Sequence, residues 1–245
     1  TARTIAENRA AIKGIKVFAT SAMTGEWPLP ALDAARRVAD ATGVPIAVHV
    51  SAAPPALDEV LARLQAGDIV THCLNPHSQQ ILGADGHVLP AVRAARERGG
   101  RFDVGHGAGS FSFAVARRAL DEGFLPDTIS TDLYYANING PVWDLPTTMT
   151  KFLALGMPLE EVVRRVTCNA ADALGETALG RLAVGAPADI AVLSLREAGR
   201  GYCGAEGPQT DGLVLLNGPA SSPGYTSILS RRYPRTGAAV SQTKI

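Results

Sequence analysis

From residue 14 to residue 156 one unit recurs: a short β-branched run, a polar loop, then an amphipathic Ala/Leu/Arg stretch. The runs are GIKVFAT (14–20), PIAVHVS (45–51), DIVTHCLN (68–75), RFDVGHG (101–107) and TISTDLY (128–134). Branched side chains pack well on a pleated surface, so such runs favour strands. Between them lie helical patterns. In PALDAARRVADATG, Leu32, Ala35, Val38 and Ala39 share one helical face and Gly43 supplies the stop. PALDEVLARLQAG repeats the design, with Leu57, Val60, Leu61 and Leu64 on a face and Gly67 at the end. Strands alternating with helices of this length imply parallel βαβ units.

Each unit takes about 25 to 30 residues, the spacing of a (β/α) barrel. A closed barrel of this kind needs eight strands, and five are visible. The reading is therefore α/β: a (β/α)8 TIM-type barrel of which strands 4–8 are present, three βα units being absent from the N-terminal side. The opening TARTIAENRAAIKG agrees, since it reads as the end of a helix and lacks an initiator Met, as in a processed or cut chain. An open doubly wound sheet of five strands is the competing fold, and it needs no missing piece. After the fifth run, LPTTMTKFLALG and PLEEVVRRVTCNAADALG read as two helices, the second starting after Pro158. LGRLAVGAPADIAVLSL (179–195) predicts two short strands around a Gly-Ala-Pro turn. Residues 1–178 thus form a partial barrel domain and 179–196 the strands of a small β-sandwich appendage. Residues 197–245, rich in Gly, Pro, Ser and Thr, read as an irregular tail.

Charge and cysteine content narrow the partners. Lys and Arg number 23, as do Asp and Glu, so nothing electrostatic favours nucleic acid or an anionic membrane. No apolar run reaches the roughly 18 residues a membrane-spanning helix needs, and the N-terminus lacks the apolar core of a signal peptide. Cys73, Cys168 and Cys203 are odd in number and far apart, which suits a reduced, cytoplasmic compartment. The expected partner is a small-molecule substrate; barrels of this kind often associate, so a homo-oligomer is left open.

The reactive side chains fall in one pattern. Lys16, His49, His72, His106 and Asp132 lie on the five successive runs, each toward its C-terminal half, where TIM barrels build active sites. Singly each has a plain structural account: a lone His as a hydrogen-bonded core residue, Lys16 as a snorkelling side chain, Asp132 as a loop cap. Jointly, a titratable group on each of five consecutive strands is costly to bury without a function. Imidazole nitrogen and carboxylate oxygen together suit a divalent metal such as Zn²⁺. Asn75, Tyr134, Asn137 and Asn139 lie in loops at the same rim. His77 and His87 lack ligand spacing and read as surface residues, and strand alternation turns Cys73 away from the site.

The order Lys, His, His, Asp on these strands resembles the binuclear-metal amidohydrolase superfamily, which includes dihydroorotases and phosphotriesterases. GIKVFAT, AVHVSAAP, VTHCLNP, FDVGHGAGSFSF, the run ISTDLYYANINGPVWDLPTTMTKFLALGMPLEEVVRRVTCNAADALG and the closing LGRLAVGAPADIAVL look like its amidohydrolase/deacetylase group. The likeness covers roughly residues 1–195 and is most specific from Phe102 through Leu193. It implies two divalent metal ions, Zn²⁺ the first candidate, bridged by Lys16 carboxylated at its amine. His49 and His72 would complete the second metal site. Asp132 would ligate the first metal and act as general base toward a bridging hydroxide, whose parent water two metals bring toward a neutral pKa. His106 is no metal ligand in that scheme and either orients substrate or stabilises its carbonyl oxygen, or is structural; Asn75, Tyr134 and Asn137, from their place at the rim, are the other expected substrate contacts.

One family feature is missing: the HxH pair that supplies two ligands of the first metal occurs nowhere in this chain. Low activity of the chain alone follows. The expected reaction is hydrolysis of a C–N amide or ester bond of a small acylated or cyclic amide substrate, deacetylase-like. A dihydroorotase-like cyclic amidase and a catalytically inactive barrel scaffold are the alternatives. Retention of Lys16, His49, His72 and Asp132 together argues against the scaffold, which has no need of buried titratable groups.

Overall fold

The computed structural model describes residues 1–198, 202–204, 207–209 and 213–217. The elements in chain order are α1 (Ala2–Glu7), β1 (Ile15–Phe18), α2 (Ser21–Thr24), α3 (Pro28–Thr42), β2 (Ile46–His49), α4 (Leu57–Leu61), β3 (Ile69–Thr71), α5 (Pro90–Glu97), β4 (Arg101–Asp103) and α6 (Phe113–Asp121). Then come α7 (Leu145–Ala154), α8 (Leu159–Val166), α9 (Cys168–Ala173), β5 (Ser194–Ala198), β6 (Tyr202–Gly204), β7 (Gly207–Gln209) and β8 (Leu213–Asn217).

Strands β1 to β4 pair in parallel and in sequence order. A fifth passage joins at Thr128, bridged in parallel to Asp103, with the amides of Val104, His106 and Gly107 donating to the carbonyls of Thr128, Ser130 and Thr131. Consecutive order without reversal is what a singly wound sheet gives; a doubly wound sheet turns back at a switch point. The fifth run forms a bridge and not a full strand because Gly105, Gly107 and Asp132 all take positive φ, which breaks the ladder.

Pairing register decides which side chains share a face. Lys16 lies opposite Ala47, Phe18 opposite His49, His49 opposite Thr71 and Thr71 opposite Asp103. The alternate residues Val17, Val48, Val70 and Phe102 occupy the other face and are buried in the core with Leu32 and Ala39 of α3 and Val60 and Leu61 of α4. One face is therefore apolar and covered by helices, and the other carries Lys16, His49, Thr71 and Asp103 beside Phe18, Ala47 and Ile69. Helix α3 ends as its sequence predicts: Gly43 is left-handed (φ 67°) and its amide donates to Ala39 O at 2.7 Å.

Two expectations need correction. The stretch 158–175 is broken at Thr167 (φ −121°, ψ −98°), where Gly180 passes so close that a Cβ on it would lie 2.6 Å from the Thr167 carbonyl. Residues 179–193 hold no strand; Leu182, Val184, Ile190 and Val192 are exposed there, and two short strands with no apolar face to cover are not stable alone. Strands begin later: β5 pairs antiparallel with β8, and β6 with β7. The tail read as irregular thus contains β6, β7 and β8, and its remainder lies outside the described residues. No helix among the described residues is long and apolar enough to cross a membrane.

Candidate active site

His49, His72, His106 and Asp132 come to or just past the C-terminal ends of the parallel strands, whereas Lys16, expected in the C-terminal half of its run, is the second of the four residues of β1 and lies opposite Ala47. Lys16 and His49 lie inside β1 and β2; His72 is one residue past β3, His106 three past β4, and Asp132 beyond the Thr128 bridge. For His72 the difference matters. Thr71 takes the reactive face, so alternation alone would turn His72 to the helix side. Its φ of 66° swings it back, and its ring lies edge-on to that of His49 with centroids 4.3 Å apart. Positive φ in a branched-ring residue is uncommon and persists where the surroundings over-determine it. Asn75 is part of that surrounding: buried, it donates to His72 O at 2.8 Å and accepts from His77 N at 2.8 Å.

The protonation states follow from burial. His49 is lowered to about 3, first by burial and then by His72, Lys16 and His77. His72 is lowered to about 4 by burial and by Lys16, with the Gly105 carbonyl pulling the other way. Both rings are neutral at pH 7. Because His72 Nδ1 lies 2.5 Å from Gly105 O, Nδ1 carries the proton and Nε2 keeps its lone pair. A carbonyl holding one ring nitrogen so that the other faces a ligand is the usual support of a metal-binding histidine. Lys16 is exposed as a residue, yet burial of its amine holds it below the ordinary lysine range, while Asp103 and Asp132 act against that shift. Lys16 therefore lies within reach of both imidazoles and of the Asp132 carboxylate.

Asp132 has φ 47° and its carboxylate packs against Gly107, where a Cβ would stand 3.2 Å from Oδ2. Asn137, buried, holds the loop: it donates to Asp132 O at 3.0 Å and accepts from Tyr134 N at 2.8 Å. Asn75 and Asn137, expected at the pocket wall, thus each support the backbone of an expected ligand. Tyr134 is half-buried and its ring meets that of Tyr135; Asn139 is exposed. His106 is buried, stacks on Phe111 at 4.7 Å and is lowered to about 3 by burial and then by Lys151. Both its nitrogens have protein neighbours, Nδ1 at Gly107 O (2.8 Å) and Nε2 at Lys151 Nζ (2.7 Å). His77 and His87 are exposed, and Cys73 is fully buried with its thiol pushed up by burial.

Two residues escaped the sequence reading. Asp103, 2% exposed, accepts from three hydroxyls: Thr71 (2.7 Å) and Ser130 (2.7 Å) at Oδ2, Thr128 (2.6 Å) at Oδ1. This knot ties β3, β4 and the fifth passage directly below the imidazoles. Its signal was an acid between Phe102 and Val104 in a strand, matched by hydroxyl residues on the flanking runs. Lys151, fully buried in α7, is the other; a lysine amid the apolar turns of TMTKFLAL was the only cue.

Among the described residues no three His, Cys, Asp or Glu side chains form a ready metal cluster. The donor set is instead two neutral imidazoles and a carboxylate with a lysine amine beside them, and an ammonium coordinates nothing until it is deprotonated or modified. The chemistry of that set fits a divalent ion once Lys16 becomes an anionic ligand.

Comparison with known proteins identifies the family. The amidohydrolase family model matches residues 3–214. A deacetylase of Brucella anthropi is 42% identical over 193 residues, 79% of this chain and 48% of that protein. A deacetylase of Agrobacterium fabrum is also 42% identical, over 79% of this chain and 47% of its own length. The chain thus spans about half the length of the curated relatives it matches. Among solved structures, that of an adenine deaminase has a TM-score of 0.85 at 32% identity, covering 89% of this chain and 60% of the other. That of a dihydroorotase has a TM-score of 0.82 at 39% identity, covering 89% and 59%. The parallel α/β sheet is accordingly of the TIM-barrel amidohydrolase type. With a family model matched across most of its length and two relatives at 42% identity, the chain belongs to the amidohydrolase family.

Proposed function

We propose that this chain supplies metal-binding and proton-transferring residues of a hydrolase that cleaves a C–N amide or ester bond in a small acylated or cyclic amide substrate, in the manner of a deacetylase. The observation that carries it is the His49–His72 pair: two neutral imidazoles 4.3 Å apart at the ends of adjacent parallel strands, one anchored through Nδ1. Such a pair has no stabilising hydrogen bond between its members, and it suits a shared cation.

His49 and His72 would hold one divalent ion, and Asp132 would hold a second. Lys16, once converted to a carbamate, would be their anionic ligand. Its lowered pKa raises the fraction of free amine, whose lone pair attacks carbon dioxide; an N–C bond forms, one proton leaves to solvent and an anionic ligand results. Two divalent ions, Zn²⁺ the first candidate, supply Lewis acidity and bring a water toward a neutral pKa. Asp132 takes the proton of the attacking water and delivers it to the leaving nitrogen or oxygen. Asn137 and Gly107 keep that carboxylate in place.

The test uses the full product of the coding sequence, with metal analysis beside turnover of N-acetyl amino acids, acyl esters and cyclic amides. About two ions per chain and loss of turnover on chelation are expected. Unchanged turnover after complete metal removal sinks the reading. The second reading, dihydroorotase-like ring opening, draws on the 39% identity to a dihydroorotase structure and predicts preference for the cyclic amide. Neither metal nor turnover would leave the inactive scaffold. The 245-residue chain alone, which has no HxH pair, is expected to turn over poorly if at all.

A further inference from the structure

Lys151 has no part in the chemistry above, yet it is, among the described residues, the lysine with no exposed surface. Burying an ammonium is costly unless hydrogen bonds compensate it. Its position therefore asks for a reason beyond the core. Nζ lies 2.7 Å from His106 Nε2 and donates to Pro141 O, also at 2.7 Å. These two partners belong to different segments. His106 continues β4, and its other nitrogen is bound to Gly107 O, the residue whose Cα faces the Asp132 carboxylate. Pro141 closes the rim loop that starts at Asp132 and is pinned midway by Asn137. The same ammonium lies 5.8 Å from the centroid of Trp143 and 5.9 Å from that of Phe111, on which His106 stacks. Trp143 is one of three described non-glycine residues with positive φ, the others being His72 and Asp132.

We propose that Lys151 is a positioning residue: its ammonium ties the rim loop at Pro141 to the strand end at His106–Gly107, and so fixes the Asp132 carboxylate and the Trp143 ring relative to the imidazoles. The catalytic part of this inference rests on the proposed hydrolase reading; the tie itself does not.

The chain has two tryptophans, Trp27 and Trp143. In a Trp27→Phe background Trp143 alone reports on the loop. Lys151→Met keeps the length of the side chain and removes the charge. With helix content by circular dichroism and cooperative unfolding retained, Trp143 emission is expected to shift to the red and to be quenched more readily by acrylamide. His106→Phe removes the other end of the tie, keeps the stacking surface, and is expected to give the same shift; the double variant adds nothing to either single one. Should Lys151→Met fail to fold, His106→Phe decides alone. Unchanged Trp143 emission and quenching in a folded variant overturns the proposal, as does a double variant with additive shifts. In the full coding-sequence product, Lys151→Met is expected to lower kcat by about 10²-fold through misplacement of Asp132, with metal content unchanged and KM little altered. A loss confined to KM or to metal content refutes the positioning role. Absence of turnover in the unaltered protein would count against the hydrolase reading and leave the fluorescence result standing.

Discussion

At the scale of single residues, the site is set by backbone conformation as much as by side-chain identity. Gly105 has φ 46°, and a Cβ there would fall 2.2 Å from Thr71 Oγ1 and 2.8 Å from His72 Nδ1. Both the Asp103 knot and the orientation of His72 depend on that missing carbon. Gly105→Ala is expected to lower stability by at least about 1–3 kcal/mol from backbone strain alone, before the clash is counted, and to abolish metal retention. Gly109→Ala, with no atom within 4 Å of its added carbon, is the control and should leave both nearly unchanged. Denaturant unfolding and metal analysis of the two variants read the difference. Thr128→Val, which preserves shape and removes one of the hydroxyls given to the buried Asp103, should cost about 1.5–3 kcal/mol by the same measurement. Most candidate ligands were legible because each ended an apolar run. His72 was legible only by its type, since alternation assigns the reactive face to Thr71. Asp103 was hidden because its partners are hydroxyl residues as much as 32 positions away, and no local pattern marks them.

Among elements, the agreement follows local physics. Helix α3 was readable to its last turn because an apolar stripe and a glycine stop coincide. Strands came out shorter than their sequence runs: β3 covers Ile69–Thr71 within a run of eight and ends where His72 turns to positive φ. The region 179–193 misled for the opposite reason; its alternation of Leu, Val, Ile and polar residues is strand-like, but a strand needs a neighbour as well as a pattern. Helix α7 matters most for the site because it carries Lys151, and its start is fixed by Asp144, whose side chain accepts from Thr147 N at 2.7 Å. Asp144→Ala removes that cap and should lower stability by about 0.5–2 kcal/mol in denaturant unfolding. Because the cap lies directly after Trp143, the same variant should also loosen that ring in acrylamide quenching.

Across the whole molecule, the two ends of the sheet divide the work. At the end where strands begin, a cleft of about 650 Å³ is lined by Arg9, Arg36, Asp68 and Arg101, but these groups already serve the chain. Arg36 binds Asp40 and Asp68, Arg9 the carbonyl of Thr42, and Arg101 that of Asp172, so this end is a stitched base. At the other end, burial gathers three histidines that stay neutral: His49 and His106 at about 3, His72 at about 4. The sign of their effect follows from proton counting. An unfolded histidine takes up its proton near pH 6.5, whereas these three in the folded state do so only near 3 to 4. Between those limits the unfolded chain binds more protons, so stability rises with pH through that window and falls as the solution is acidified. Above about pH 7 neither state binds a proton at these rings, and their contribution becomes flat. Glu122, held below the usual carboxylate range by the Val88 amide and His87, adds a loss in the same direction at lower pH. Unfolding measured from pH 8 to pH 4 on metal-free protein should therefore stay level down to about 7 and then drop, with His106→Phe giving a shallower fall because one of the three sites is gone. A stability that rises on acidification from 7 to 5 would mean that these rings are charged in the folded chain, and the neutral imidazole pair on which the metal reading depends would go with it.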